Sequence, residues 1–346
     1  MSPATRPPPR RDAIRLLVID RRSGDLHDRR VVDLPAHLDP GDLLVVNDAA
    51  TLPASISGRT TAGAAIELRL TGAGEAQVWR AALFGAGDWR TPTEARPAPP
   101  AVAVGDVLRL GDRARPLEAT IAAVDPRAPR LVTLRFDVDE DGLWDALYRA
   151  GAPVQYSYLE EELALWSVQS AFAGPPWAAE MASAGRPLSW RILGDLRARG
   201  VTIASLTHAA GLSSTGDAAL DALLPLPERY AIPAATVAAI RRTKAAGGRV
   251  IAVGTTVIRA LEGCVRDRGA LRPGVGVTDL LLDHSSALRV VDGVLTGMHG
   301  PGESHRRLLE AFAPPALLDR AWTHAVAAGY RAHELGDVAL VTDLAA

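Results

Sequence analysis

An apolar run, Val250–Val253, that leads directly into Gly254 constrains the fold of this chain more than any other feature. Two hydroxyl residues, Thr255 and Thr256, come next, and an amphipathic helix is predicted over Thr256–Arg266. A strand that passes directly into a helix is typical of a βαβ unit, and ligands bind at the carboxyl ends of such strands in open α/β sheets. The pattern also fits a plain helix with a threonine N-cap. The residues alone leave both interpretations open.

Helices and strands alternate through the second half of the chain. Gly200 and Gly247 each follow a helical pattern and precede a β-branched run, as they do in βαβ units with short connections. The chain therefore predicts an α/β main domain. Its predicted elements are helix Ser189–Arg199, strand Thr202–Leu206, helix Ala234–Ala246 and strand Arg249–Val253.

The segment between the N-terminus and these elements has a different sequence pattern. From about Ser55 to Phe136, short β-rich runs are separated by Gly, Pro and Asp, which is typical of an antiparallel barrel or sandwich. A helical pattern then begins near Leu143 and ends at Gly151. We therefore predict an α/β main domain, residues 1–54 plus 138–346, with an inserted all-β barrel-like domain at residues 55–137.

Composition excludes several classes of protein. The formal net charge of −2 gives no global attraction to nucleic acid, and nearly all the cations are arginines. Apolar runs are far shorter than the ~20 residues that cross a bilayer, and the N-terminus lacks the apolar core of a secretory signal. A single cysteine, Cys264, excludes an internal disulfide framework. We expect a cytoplasmic protein without membrane partners.

Searches for common catalytic motifs exclude other chemistries. Gly211-Leu212-Ser213-Ser214 is followed by Thr215 where the nucleophile elbow of a serine hydrolase requires glycine. The chain has no Walker loop and no HExxH motif. The eight histidines form no i, i+4 pair, so no metal site is expected.

The stretch Val250–Glu262, with the pattern VIAVGTT followed by Arg259, Leu261 and Glu262, resembles a signature of the S-adenosylmethionine:tRNA ribosyltransferase-isomerases of queuosine biosynthesis. Further segments resemble other motifs of this family in the same order, over nearly the whole chain. They are Arg11–Leu17, Pro40–Asp48, Gly58-Arg59 with Glu67, Thr278-Asp279, Val291-Asp292, Thr296–Ser304 and Gly329–Asp337.

Departures from the family pattern concentrate where a substrate is expected. The N-D-T-R motif of the family is Asn47-Asp48-Ala49-Ala50 here, and the histidine of P-T-A-G-L-H-F is replaced by Pro187. Proline cannot replace an imidazole in proton transfer. The family's H-x-M-H-x-E stretch has no recognisable counterpart near Leu223–Tyr230.

The resemblance implies that the ribosyl group of S-adenosylmethionine is moved to a 7-aminomethyl-7-deazaguanine base in tRNA and rearranged to epoxyqueuosine, with release of adenine and methionine. It implies catalytic roles for His299, His208 and Asp279. Contacts to the substrates are implied for Asp48, Ser183, Gly185, Gly254, Thr255, Thr256, Arg259, Glu262 and Ser304. Arg259 and Glu262, at i and i+3, fit a structural ion pair equally well.

Two alternatives remain open at this level. A diverged relative can consume S-adenosylmethionine as a lyase or as a transferase to a small molecule instead of tRNA. A protein that kept the scaffold can also bind nucleotide or RNA without catalysis. In the main interpretation S-adenosylmethionine is a co-substrate, tRNA is a partner, and no metal is needed. The sequence leaves the oligomeric state open, with a monomer favoured.

Overall fold

In the computed structural model, residues 1–72, 74–75 and 77–344 are described. Within these ranges the chain forms seventeen strands and seven α-helices. The strands are β1 Ser2–Pro3, β2 Arg15–Asp20, β3 Leu26–Arg30, β4 Leu43–Asn47, β5 Ser55–Thr60, β6 Ala65–Leu70, β7 Val78–Phe84, β8 Val107–Leu110, β9 Leu117–Val124, β10 Leu131–Phe136, β11 Thr202–His208, β12 Glu228–Ile232, β13 Val250–Val253, β14 Gly274–Thr278, β15 Gly293–Gly297, β16 Arg331–Ala332 and β17 Val338–Thr342. The helices are α1 Glu140–Ala150, α2 Trp190–Ala198, α3 Ala218–Asp221, α4 Ala234–Ala245, α5 Thr255–Arg268, α6 Ser304–Leu309 and α7 Pro315–Ala327.

The main sheet carries its parallel strands at the centre. Its nine described strands follow the order β14-β12-β11-β4-β13-β15-β17-β2-β3. Strands β11, β4, β13 and β15 run parallel to one another, whereas β12 and β17 join this group on either side in antiparallel orientation. The carboxyl ends of four neighbouring strands therefore meet at one edge, although the strands come from distant parts of the chain.

Alternating side chains of β4 divide the core around this sheet. Leu43 and Val45 pack in a cluster with residues of α4, α5 and α7, whereas Leu44 and Val46 pack with residues of α2 on the opposite face. This alternation is the period-2 pattern of a strand buried on both sides. The α/β prediction for the main domain is confirmed.

Strands β5 to β10 close into an antiparallel barrel with the order β10-β7-β6-β5-β8-β9. Its own apolar core, which includes Trp79, Phe84 and Phe136, extends to α1. The barrel strands run from Ser55 to Phe136, inside a chain that otherwise builds the main sheet. The predicted fold class is thus confirmed, while the domain division at residues 54/55 and 137/138 stays a prediction.

Most of the predicted elements of the main domain are present, with ends shifted by one or two residues. Helix α2 begins one residue later than predicted, because Ser189 is its N-cap and accepts the Ile192 N–H at 3.4 Å. Helix α5 begins one residue earlier, at Thr255, and has Gly254 at its N-cap position without a side-chain cap. The threonine N-cap considered from the sequence is therefore wrong.

Candidate active site

The carboxyl ends of β11, β4, β13 and β15 form the edge at which the sequence motifs converge. In the register of these strands, Leu206 lies opposite Asn47, and Val253 opposite Leu295. Strand β4 is flanked by β11 on one side and β13 on the other, and both follow it much later in the chain. The chain connections therefore diverge to opposite sides of the sheet at the end of β4. Crevices at such points are the usual ligand sites of open α/β sheets.

The side chain of Asn47 links three of these strand ends by hydrogen bonds. Its Oδ1 accepts the His208 N–H at 2.9 Å and the Ala49 N–H at 3.0 Å. Its Nδ2 donates to the His208 carbonyl at 3.0 Å and to Thr256 Oγ1 at 3.4 Å. The Asn47-Asp48 motif therefore contributes an amide that positions His208 and the start of α5.

A buried cluster of His208, Glu228 and Arg259 lies behind this amide. Glu228 Oε2 is 2.5 Å from Arg259 Nη1 and 3.3 Å from His208 Nε2, and Glu228 Oε1 accepts the Gly211 N–H at 2.7 Å. Neither contact of Oε2 is an aligned hydrogen bond, so among the described residues this atom and both ring nitrogens of His208 lack a hydrogen-bond partner. The cluster therefore contains buried polar atoms whose capacity to form hydrogen bonds is not used by the fold.

Burial sets the protonation states of this cluster. Burial raises the pKa of Glu228 to about 6, against the opposing charge of Arg259. Burial, and then the nearby charge of Arg259, lowers the pKa of His208 to about 3. A neutral imidazole therefore lies beside a carboxyl group that titrates close to neutral pH, which is the property a proton-transferring group requires.

A second cluster follows β15 and contains His299, Glu303 and His305. His299 Nε2 is 3.0 Å from Thr296 Oγ1, and its Nδ1 is 3.4 Å from Glu303 Oε2. The rings of His299 and His305 stack with centroids 4.9 Å apart. Burial opposes ionisation of Glu303, but the hydrogen bond and charge of His299 leave its pKa below the usual value. Glu303 thus orients and polarises His299.

The two clusters follow neighbouring strands. Burial is the main cause that lowers the pKa of His305 to about 3, and the charges of His299 and Arg259 act in the same direction. Strands β13 and β15 pair in parallel, so their carboxyl ends lie at the same edge of the sheet. The signature helix α5 and the motif after β15, which lie about forty residues apart in sequence, therefore begin side by side.

The start of α5 forms the floor of the site. Gly254 has φ +88°, a left-handed conformation that side chains rarely adopt, and a Cβ there would lie 3.6 Å from the Ala184 Cβ. The first N–H groups of α5 have no side-chain cap. The short turn Ser183–Gly185 packs on β15 beside them. The predicted contact residues Ser183, Gly185, Gly254, Thr255 and Thr256 are thus brought together.

Four other predicted residues have different surroundings. Asp279 is largely exposed and binds Arg266 at 2.7 Å. Glu262 accepts the backbone N–H groups of residues 289–291, so the proposed ion pair between Arg259 and Glu262 is wrong. Asp48 accepts the hydroxyls of Ser205 and Thr207, both at 2.7 Å. Ser304 is exposed at the first turn of α6.

Buried residues that pack against the surrounding chain occupy the positions that depart from the family pattern. Ala50 is buried and pairs through its backbone with Pro175 and Ala178. Pro187 is also buried, next to Arg186, whose Nε donates to the Ser167 carbonyl at 2.8 Å. Burial lowers the pKa of Arg186 to about 10, assisted by the charge of Arg11. A buried arginine thus lies beside the turn Ser183–Gly185.

Several site residues were missed by the sequence interpretation. Glu228 lies in the stretch that we judged unrecognisable, yet it faces His208. Glu228 lies at period-2 spacing from Tyr230 and Ile232, and this spacing is a signal that would have placed its side chain on their inward face of β12. Glu303 and His305 carry no comparable signal, because only the turn after β15 brings them to His299.

Comparisons with known proteins decide the family. A model described as queuosine biosynthesis protein matches residues 2–341. The chain belongs to this family. The S-adenosylmethionine:tRNA ribosyltransferase-isomerase of Moorella thermoacetica is 33% identical over 98% of this chain and 95% of the relative. The protein of the same name from Azoarcus sp. strain BH72 is 36% identical over 96% of this chain and 91% of its own length.

The family is also supported by a solved structure. The crystal structure of S-adenosylmethionine tRNA ribosyltransferase from Thermotoga maritima matches with a TM-score of 0.53 and 25% identity, over 98% of this chain and 95% of that one. The resemblance that begins at Val250–Glu262 is therefore confirmed. Among the described residues, no helix has the length and apolarity to span a membrane, and no group of His, Cys, Asp or Glu could hold a metal ion.

Proposed function

We propose that this chain transfers and isomerises the ribosyl group of S-adenosylmethionine onto 7-aminomethyl-7-deazaguanine in tRNA, forming epoxyqueuosine and releasing adenine and methionine. The convergence on Arg259 carries the proposal. This residue of the signature helix contacts Glu228, which lies 3.3 Å from His208, so three distant segments of the chain meet in one cluster. A tRNA acceptor implies that the protein works in the cytoplasm, and we propose that it does so as a monomer.

We assign His299 as the base that removes a proton from C5′ of the ribosyl group. A sulfonium makes these protons acidic, so a neutral imidazole in the correct tautomer is sufficient. When Nδ1–H is donated to Glu303, Nε2 is left as the acceptor, and the Thr296 hydroxyl, 3.0 Å away, holds it until the hydroxyl turns aside and Nε2 takes the C5′ proton. Glu303 is a positioning residue in this scheme.

We assign Glu228 and His208 to the departing adenine. A leaving base needs a proton or a hydrogen bond as negative charge develops on it, and a carboxyl group with a pKa of about 6 supplies a proton near neutral pH. His208 stays neutral and offers a hydrogen bond from the same buried cluster. Arg259 prevents Glu228 from becoming a permanently protonated acid.

The floor of the site supplies the contacts that hold the co-substrate. The uncapped N–H groups at the start of α5, the hydroxyls of Thr255 and Thr256, and the turn Ser183–Gly185 all lie at the end of β13. Hydrogen-bond donors of this kind suit the carboxylate and hydroxyl groups of S-adenosylmethionine. Asp48 and Ser304 flank the same edge, and we propose that they make outer contacts.

Product release with and without tRNA tests this function. The purified protein is incubated with S-adenosylmethionine, with tRNA that carries the deazaguanine precursor or with tRNA that lacks it, and adenine and methionine are followed by mass spectrometry. We expect both products in equal amounts, together with a mass gain on the precursor tRNA only. Release that does not depend on tRNA, or the absence of release, would contradict the proposal.

A further inference from the structure

A small cavity lies beside the site, between the segment 151–181 and the turn 331–336. Its volume is about 20 Å³, and Tyr156, Tyr158, Glu180 and Glu334 are among the residues that line it. A space of this size holds about one water molecule or a group of similar size. The cavity is therefore too small for a nucleobase but large enough for a single polar head group.

Two carboxyl groups, those of Glu180 and Glu334, line this cavity. Glu180 accepts the Tyr156 hydroxyl and, at 3.1 Å, the Ser213 N–H, and the charge of Arg69 acts on it, whereas no described side chain bonds the carboxyl group of Glu334. Burial raises the pKa of both groups, that of Glu334 to about 7. A carboxyl group that has no partnering cation is costly to a fold. A cationic ligand would offset that cost for Glu334.

Stacked rings form the wall of the cavity. Tyr158 lies between Tyr156, at 6.0 Å between centroids, and His333, at 4.7 Å. The Tyr158 hydroxyl is buried and has no hydrogen-bond partner among the described residues. His333 has φ +67°, a strained conformation for a residue other than glycine. Tyrosine faces attract cations, and such a column can also stack a flat ligand.

The cavity is electrostatically connected to the active site. The negative charge of Glu180 contributes to the raised pKa of Glu228, and the charge of Glu303 acts on His333. Thr51, which also lines the cavity, lies four residues after Asn47 at the end of β4. A ligand whose head group enters the cavity would therefore lie beside the strand ends that form the candidate site.

We propose that this cavity binds the primary ammonium group of a substrate through Glu180, Glu334 and the Tyr158 hydroxyl, while the flat part of the ligand stacks on the ring column. An ammonium group has the size of the cavity, donates three hydrogen bonds and carries the positive charge that would partner Glu334. The inference rests on the proposed function, because both of its substrates carry such a group. These are the aminomethyl group of the deazaguanine and the α-ammonium group of S-adenosylmethionine.

Binding of four small ligands to the wild type and to Glu334→Gln tests this proposal by calorimetry. The ligands are free 7-aminomethyl-7-deazaguanine, its 7-methyl analogue, S-adenosylmethionine, and its analogue without the α-amino group. We expect Glu334→Gln to lose about tenfold or more in affinity for one ammonium ligand, and little for the matching amine-free analogue. The ligand that loses affinity identifies the source of the ammonium group.

Two further variants separate binding from folding. Tyr158→Phe removes only the unpartnered hydroxyl, and we expect it to weaken the same ammonium ligand about threefold while leaving the melting temperature unchanged. Glu118→Gln, on the exposed face of the barrel, is the matched control and should bind all four ligands as the wild type does. Unchanged affinities in Glu334→Gln, or equal losses with and without the amine, would overturn the proposal.

Calorimetry needs no turnover, so the failures of the two proposals can be told apart. Normal product release from precursor tRNA, together with no selective loss in Glu334→Gln, would contradict the ammonium pocket alone. Selective loss of one ammonium ligand in a protein that releases no adenine would contradict the proposed function alone.

Discussion

Two buried carboxylates of this molecule have opposite surroundings. In the barrel, Glu67 accepts hydrogen bonds from Ser55, Arg69 and Arg96, and these contacts keep its pKa below the usual value although burial opposes ionisation. At the end of the main sheet, burial raises the pKa of Glu228 to about 6. The barrel therefore fixes a charge to stabilise its fold, whereas the sheet edge keeps a proton exchangeable. Both carboxyl groups are buried, so burial alone does not distinguish the structural acid from the functional one. The number of hydrogen bonds that each carboxylate accepts does distinguish them.

Among the changes that test this comparison, Glu67→Gln should have the largest effect, a loss of unfolding free energy. Removing the charge leaves Arg69 and Arg96 buried without their common partner, which costs about 3–5 kcal/mol of unfolding free energy. Urea unfolding monitored by fluorescence measures this loss. A cost below about 1 kcal/mol would show that the barrel cluster is not a structural network.

His299→Ala should remove the base without disturbing the fold. We expect adenine release to fall by a factor of about 100 or more, which corresponds to about 3 kcal/mol, while the unfolding free energy stays within about 1 kcal/mol. His284→Ala, at an exposed histidine, is the control and should retain the wild-type rate. Retention of the rate in His299→Ala would remove this residue from the mechanism.

The pH dependence of stability should have opposite signs for the two acids. Glu228 has a native pKa above the unfolded value of 4.5, so its contribution is fully present below pH 4.5 and is lost as the pH rises through about 6. The contribution of Glu67 is present above pH 4.5 and is lost as the pH falls through its lowered native pKa.

The cost of Glu228→Gln relative to the wild type should therefore shrink by about 1–2 kcal/mol between pH 4 and pH 7, whereas that of Glu67→Gln should grow. Unfolding free energies of the wild type and both variants at these two pH values check the prediction. The same trend in both variants would remove the distinction between the two clusters.

Asp279→Asn should have the smallest effect. Its carboxylate is largely exposed and bound to Arg266, and exposed pairs of this kind contribute about 0.5 kcal/mol. We expect adenine release to change by less than about threefold. A loss comparable to that of His299→Ala would restore the catalytic role that the family resemblance implies for Asp279.

The sequence predicted the architecture better than it predicted the site. The local signals are the alternation of strand residues, the glycines that end helices, and the short β-rich runs that begin at Ser55. They were sufficient to predict the α/β sheet, the barrel and helix α5. His208 and His299 were named as candidates through the family resemblance. Each of these features can be recognised within a short window of sequence.

Residues that act across the fold were harder to find. Glu228 and His305 reach the site only because β12 pairs with β11 and because the turn after β15 stacks the His305 ring on His299. Arg259 and Glu262 illustrate the same limit, because i, i+3 spacing fitted an ion pair as well as substrate contacts, whereas each residue has a distant partner. Pairing between remote segments is not written in any short window of sequence.

Precursor-tRNA-dependent adenine release per folded molecule, measured for Glu228→Gln beside Glu67→Gln, tests the central claim most directly. The account predicts that Glu228→Gln stays folded and loses about 100-fold or more in rate, whereas Glu67→Gln is destabilised but its folded fraction turns over at the wild-type rate. A Glu228→Gln protein that releases adenine at the wild-type rate would contradict the claim that the open cluster at the sheet edge is the catalytic one.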